Sequence, residues 1–573
     1  MTETGHRVQF SCDGLQVEVD AAPGESLLSV LRERLGVTSP KDGCSPQGQC
    51  GCCTVLVDGE PRVACVTPAT RVDGRVVTTA DGLDPLMRER MAAQFVATGG
   101  SQCGFCTPGI LVRLAAAEAR GKTRRVDLDR ALAAHLCRCT GWQTIYEANG
   151  EPVDEHGAPR SADAGARRAE LEGGVRQRVG AAIPLGAGGF ADDAAPRDAL
   201  VAVPLPPGSA SASVEAVGMR WVVADSLLAA RALAGQVQGR RTTVDAPPPL
   251  PIPAEVAGEV RLVTGWVEPA YLEPDASWCE PGGEPTSPLA NGGAFGGKTF
   301  SPVARAAQEL AGSTGRAVRV LYAREDVVRL GPKRPPIAAT ARYRDGVVHL
   351  RGAVAGAIDP FVTTIEWPYT LEEVGDWTSV AVPGPPTSST LRAVGLAERA
   401  VLIEGALDVA RVDRMLLARD ERARRVVLDS CVAAGSGALA GARVQLDDRG
   451  RITRVTVRVA AGDPLDGVVL RSYVIGAAHM ALGWVLSESI AVDPVTGEVH
   501  DLTIRSFGVL RAKDTPRIDV EIVDDSGAPR GAASDAVFAA VAAATWNAVS
   551  NAEGARPVAF PARETRAARA LRS

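Results

Sequence analysis

Cysteine placement constrains this chain more than any other feature: of 12 cysteines, ten lie at or before position 139, and only Cys279 and Cys431 fall in the remaining three-quarters. Met1 to Phe10 lacks the apolar stretch of a secretory leader, and no run of about 18 apolar residues occurs, so the expected setting is the cytoplasm, with no membrane partner. In a reducing compartment a thiol-dense segment points to metal rather than disulfides. The 573 residues leave room for roughly four domains. A hydrophobic share of 46% with 23% charged residues excludes global disorder. Nucleic acid is not an expected partner, because the net charge of −6 lacks a basic footprint and the bias of 57 arginines to five lysines reads as genomic base composition.

Residues 6 to 20 alternate apolar and polar around Asp13-Gly14, as a hairpin does, and Asp58-Gly59 marks a second one. Between them Leu27, Leu28, Leu31 and Leu35 form a helical stripe that stops at Gly36. From Leu83 the spacing turns helical through Met87, Met91 and Phe95. Two more helices follow, one capped at Thr107-Pro108 and one at Asp127. The segment from Asn149 to Gly173 is poor in large apolar residues and reads as an exposed linker, with Arg167-Arg168 and the earlier Arg124-Arg125 as solvated pairs. The expected fold class is a multidomain α+β chain. Its expected divisions are a ferredoxin-like domain over 1–82, a helical bundle over 83–148, a linker over 149–180, and lobes over 181–255 and 256–573.

Two cysteine sets carry the chemistry. Cys44, Cys50, Cys53 and Cys65 are spaced C-x5-C-x2-C…C, close to the plant-type iron–sulfur pattern, and Gly43, Gly48 and Gly51 let the backbone curl around a cluster. Cys52, between two presumed ligands, reads as a packed free thiol. Cys103, Cys106, Cys137 and Cys139 form C-x2-C and C-x-C groups at helix ends. Spacing favours an anionic iron–sulfur cluster there, with tetrahedral zinc as the alternative. His135 reads as a bundle-surface residue or a neighbour of ligands. No nucleotide-binding fingerprint is present.

At these residues the chain resembles a known family. Cys103-Gly104-Phe105-Cys106-Thr107-Pro108-Gly109 followed by Cys137-Arg138-Cys139-Thr140-Gly141-Trp142-Gln143 is similar to the second cluster domain of the xanthine oxidase family of molybdenum hydroxylases, and the first 150 residues resemble that family throughout. The resemblance implies a β-grasp ferredoxin-like domain and a helical-bundle domain, each with a [2Fe-2S] cluster. It also implies contact of Gln102 and Cys139 with the pterin of a molybdenum cofactor. The spacing of five residues between Cys44 and Cys50, where the family often has four, is a departure.

Later segments resemble the family's molybdenum-binding subunit in the same order: Gly189 to Asp193, Trp221 to Asp225, Tyr271 to Pro274, Gly292 to Lys298, Arg392 to Gly395 with Glu404 and Asp408, and Asp493 to Gly497. The resemblance implies shortened hammerhead-like and molybdenum-domain-like lobes. The family's general base is a Glu in a Gly-x-Gly-Glu-Pro turn; here Ser534 holds that position, and a Ser hydroxyl is no base near neutral pH. Asp535 is one residue off, on the other side of an extended segment. A family Gln between Glu273-Pro274 and Gly292 has no counterpart. The expectation is therefore an iron–sulfur subunit fused to a degenerate molybdenum domain without catalytic residues of its own. It would pass electrons from a partner's molybdopterin centre through both clusters to a partner holding FAD. A self-contained small hydroxylase of an aldehyde or N-heterocycle and a non-catalytic scaffold are the alternatives. Substrate and the roles of Cys12, Cys52, Cys279 and Cys431 are left open.

Overall fold

The computed structural model describes residues 5–150, 161–206, 208–235, 247–289 and 292–571. The N-terminal unit starts with the hairpin of β1 (His6–Cys12) and β2 (Leu15–Ala21) across Asp13-Gly14. Ser26 caps the helix α1 (Leu27–Ser29), which widens into a further turn through Arg34 and buries Leu27, Leu28, Val30 and Leu31. β3 (Thr54–Val57), β4 (Glu60–Val63) and β5 (Val76–Thr78) complete a sheet of order β2-β1-β5-β3-β4. Both turns take positive φ at the Asp-Gly pair, the conformation a two-residue hairpin demands.

The helices follow as α2 (Pro85–Thr98), α3 (Thr107–Glu118), α4 (Arg125–Ala131) and α5 (Gln143–Glu147). α3 has Cys106, not Thr107, at its cap, and α4 starts before Asp127, which lies in its first turn and pairs with Arg124. The expected linker contains a helix, α6 (Ala162–Gly173). Its Arg168 is fully buried rather than solvated, paired with Glu172 one turn on and donating to the Arg530 carbonyl at 2.7 Å. A charged, Ala-rich helix passes for a linker because its partners lie 362 residues away. Residues 151–160 of that expected linker lie outside the described residues.

The rest of the chain builds three sheets. One has the order Ala276–Cys279, Val318–Leu321, Leu200–Pro204, Met219–Ala224, Val214–Ala216, so it runs across the expected division at 255–256. Val318–Leu321 is buried along its whole length and takes an interior place, which no lobe ending at 255 could supply. The others comprise Glu372–Ser379, Val347–Val354, Ile337–Arg344, Val260–Thr264, Ala559–Phe560 and Ser430–Ala433, Leu439–Leu446, Ile452–Ala460, Arg517–Ile522. Three long helices fill the core: α7 (Leu396–Val409), α8 (Gly467–Leu486) and α9 (Ala533–Glu553). α8 is long and apolar enough to cross a membrane by composition, yet 94% of its 18-residue apolar window is buried inside the protein.

α8 is the spine onto which the N-terminal unit docks. Its Gly476 lies so close to the second thiol set that a Cβ there would stand 1.8 Å from the Cys139 carbonyl oxygen. Arg471 holds Glu147 of α5 through two bonds of 2.8 and 2.6 Å, both side chains buried. Gln143 exchanges hydrogen bonds with the backbone of Ile518, behaving as one more residue of that strand. On the other side Arg32 pairs with Asp192 and Asp193, Lys41 with Asp193, and Arg319 with Glu33.

Candidate iron–sulfur sites and the closed cavity

Cys44, Cys50 and Cys53 of the first thiol set are held by a loop without regular structure between α1 and β3, where Gly48 and Gly51 take positive φ, and Cys65 comes from a short helical turn after β4. Such a loop leaves amides unpaired by any ladder. The Gln49 amide donates to Cys44 Sγ and the Cys65 amide to Cys53 Sγ, both at 3.4 Å. All four thiols are buried. Cys44 is pulled well below the ordinary thiol range by hydrogen bonds from Cys50 and Cys65, while Cys50 is pushed up by its contacts with Cys44 and Cys52 and by burial.

The second set pairs as Cys103 with Cys139 and Cys106 with Cys137. The Cys103 and Cys139 sulfurs stand 3.6 Å apart, close to the separation of about 3.8 Å for two thiolates on one tetrahedral metal with bonds of about 2.3 Å. Cys137 is lowered to about 6 by its hydrogen bond with Cys106, aided by Thr140, and Cys106 is correspondingly raised. Touching thiols cannot all ionise unless a cation lies between them; a metal that deprotonates its thiol ligands resolves the conflict. Among the described residues, no three His, Cys, Asp or Glu side chains converge on a single ion. Pairs set side by side fit two bridged irons better than one zinc. Cys106 caps α3, so the helix N-terminus points its free amides at the set.

Cys52 is fully buried near thiols of both sets; its hydrogen bond with Cys50 lowers its pKa, and burial with the Cys44, Cys53 and Cys103 thiols outweighs that and raises it. Gly43 packs closely here, since a Cβ would come within 3.1 Å of Cys50 Sγ and 3.2 Å of Cys52 Sγ, tight enough that the sulfurs would have to give by a few tenths of an ångström. His135 is buried rather than on the bundle surface. Its Nε2 is 3.1 Å from Thr54 Oγ1, its ring covers Gly51, and burial drops its pKa to about 3, so it is neutral. Leu136 N donates to the Cys50 carbonyl at 2.9 Å, which joins the bundle to the first loop. Cys12, Cys279 and Cys431 are buried away from both sets; burial pushes Cys12 up to about 12.

Against the second set lies a cavity of about 40 Å³ lined by Gln102, Cys103, Cys139, Arg392 and Tyr473 with the Gly292 to Phe295 turn. Small-molecule pockets span roughly 300–1,000 Å³, so a molybdopterin does not fit. Gln102 and Cys139, of which the resemblance implies pterin contact, both line this cavity. The Gln102 amide nitrogen donates to the Cys139 carbonyl at 2.9 Å and to Ser472 Oγ of α8 at 3.0 Å. α6, whose Gly173 lines the cavity, is tied to the start of α9: Ser534 N donates to Glu172 Oε2 at 2.7 Å, and the Ala532 amide to the Leu171 carbonyl at 3.0 Å. Ser534 and Asp535 open α9 instead of lying in an extended segment. Asp535 pairs with Arg392 at 3.2 Å, and burial raises its carboxyl to about 6. In the glycine turn, Lys298 is consumed by Glu273 at 3.0 Å and by two carbonyls.

Residues 10–79 match the 2Fe-2S iron-sulfur cluster binding domain and residues 79–149 the [2Fe-2S] binding domain. The chain is 36% identical over 141 residues to a probable xanthine dehydrogenase component of Bacillus subtilis, covering 24% of this chain and 81% of that one. It is 37% identical over 142 residues to the xanthine dehydrogenase iron-sulfur-binding subunit of Escherichia coli O157:H7, covering 24% and 88%. In fold, the whole chain is similar to the aldehyde oxidoreductase from Desulfovibrio desulfuricans, with a TM-score of 0.73 over 97% of this chain and 99% of that one at 17% identity.

Proposed function

The chain belongs to the xanthine oxidase family of molybdenum hydroxylases, and from that premise we propose that it is an electron-transferring iron–sulfur subunit whose C-terminal unit is catalytically inactive. Cys44, Cys50, Cys53 and Cys65 hold one [2Fe-2S] cluster; Cys103, Cys106, Cys137 and Cys139 hold the other. Electrons enter from a partner's molybdopterin centre and leave towards an FAD-holding partner, in the cytoplasm. The observation that carries this reading is the contrast at the second set: paired thiols suited to two irons beside a cavity of about 40 Å³. Ser534 in the place of a base, its amide committed to Glu172, supports the same reading.

Metal analysis of the purified chain tests it. The expected result is about four irons per chain, two [2Fe-2S] signals by electron paramagnetic resonance after dithionite reduction, and no molybdenum. Stoichiometric molybdenum with turnover of an aldehyde or N-heterocycle overturns the inactive C-terminal unit. A single signal, or none, overturns the electron-transfer role in favour of a scaffold.

A further inference from the structure

Arg138 sits in sequence between Cys137 and Cys139 and lines the same cavity as Cys103, Cys106 and Cys139. Its guanidinium is buried, donates from Nε to the Pro269 carbonyl at 3.0 Å, and grips both carboxylate oxygens of Glu488, one of them at 2.8 Å. Glu488 is fully buried and comes from the C-terminal unit, 350 residues away. The end of α8 is shaped to receive it. The Glu488 amide donates to the Gly483 carbonyl at 2.8 Å, and a Cβ on Gly483 would stand 2.2 Å from Glu488 Oε1. The geometry is bidentate and dry, the arrangement in which one charge most fully cancels another.

We infer that Glu488 is a positioning residue that sets the reduction potential of the second cluster by neutralising Arg138. The inference rests on the cluster assignment proposed above. A cluster with four thiolate ligands is already anionic when both irons are ferric, and reduction adds one electron and one more negative charge. An uncompensated guanidinium beside its ligands favours the reduced form. The Glu488 carboxylate removes that bias and keeps the second cluster low in potential, so that an electron arriving there is passed on rather than trapped.

The experiment is a redox titration of the full chain, followed by electron paramagnetic resonance, on the wild type, E488Q and R138Q/E488Q. E488Q shifts the second cluster's reduction equilibrium at least tenfold towards the reduced form, an upward move of about 59 mV for one electron, and leaves the first cluster in place. R138Q/E488Q carries no net charge at the pair, as in the wild type, and returns the midpoint to the wild-type value. Should E488Q not accumulate, the double variant decides alone: a tenfold or larger shift overturns the inference. An unmoved second midpoint in E488Q, or both clusters moving together, also overturns it. A wild-type chain lacking two signals overturns the cluster assignment beneath it instead.

Discussion

The N-terminal 150 residues and the unit that follows satisfy their buried polar groups by opposite means. In the first, eight thiols are brought into pairs that conflict electrostatically unless metal lies between them. In the second, buried charges answer one another within the chain: Arg334 with Glu398, Arg414 with Glu404, Arg324 with Glu268, Arg168 with Glu172. The first half sets thiols against one another, whereas the second sets opposite charges against one another, although atoms such as Tyr473 OH and Ser534 Oγ stay buried without a partner.

The largest effect that separates the halves comes from the thiols. Cys106→Ser is expected to halve the iron content and abolish one of the two resonance signals while the other persists, and Cys53→Ser to do the same for the other cluster. Retention of both signals in either variant would break the assignment. Substituting Cys431, in the C-terminal unit, leaves iron content unchanged.

Next in size is the joint between the halves. Glu147→Gln leaves Arg471 buried without its carboxylate, and losing one partner of a buried pair costs about 3–5 kcal/mol. Chemical denaturation should show this loss, with the N-terminal unit still binding iron. A loss below about 1 kcal/mol would mean that the two halves dock by shape alone.

Sequence reasoning reaches one side of this comparison much further than the other. Asp13-Gly14 and Asp58-Gly59 turn where expected because their signals are local, and cysteine spacing is legible because cluster chemistry demands short loops. What escapes it is long in range. Arg168 reads as solvated, yet its acceptor is residue 530; Arg138 appears in the sequence only as part of the cysteine motif, yet its partner is residue 488. A helix in which nine of twelve residues are Ala or charged carries little mark of what it packs against. The available signal is the pairing of opposite charges on α6, Arg168 and Glu172 one turn apart, which can be read as a buried pair.

A smaller effect concerns pH. His479 in α8 is fully buried, and burial together with nearby Arg138 lowers its pKa to about 3. Its folded value lies below its unfolded one, so its contribution to stability is present above about pH 6.5 and is lost as pH falls towards 3. At pH 5 the loss amounts to about 2 kcal/mol. His479→Asn should flatten the acid limb of a stability-against-pH curve by that amount; an unchanged limb would show that water reaches α8.

The smallest expected effect is the most pointed. If the missing base were the sole defect of the C-terminal unit, Ser534→Glu would repair it. The expected outcome is no molybdenum and no turnover, because a cavity of about 40 Å³ still admits no pterin and because Glu172 already presents its carboxylate to residue 534. A second carboxylate there faces a like charge in a buried setting, so the variant should lose stability and gain nothing. Combining it with Glu172→Gln removes the repulsion without enlarging the cavity but leaves the buried Arg168 without its carboxylate, so stability should not recover and activity stays absent. Turnover in either variant would show that α6 can leave its place, and would turn the closed unit into an enzyme held shut by its own helix.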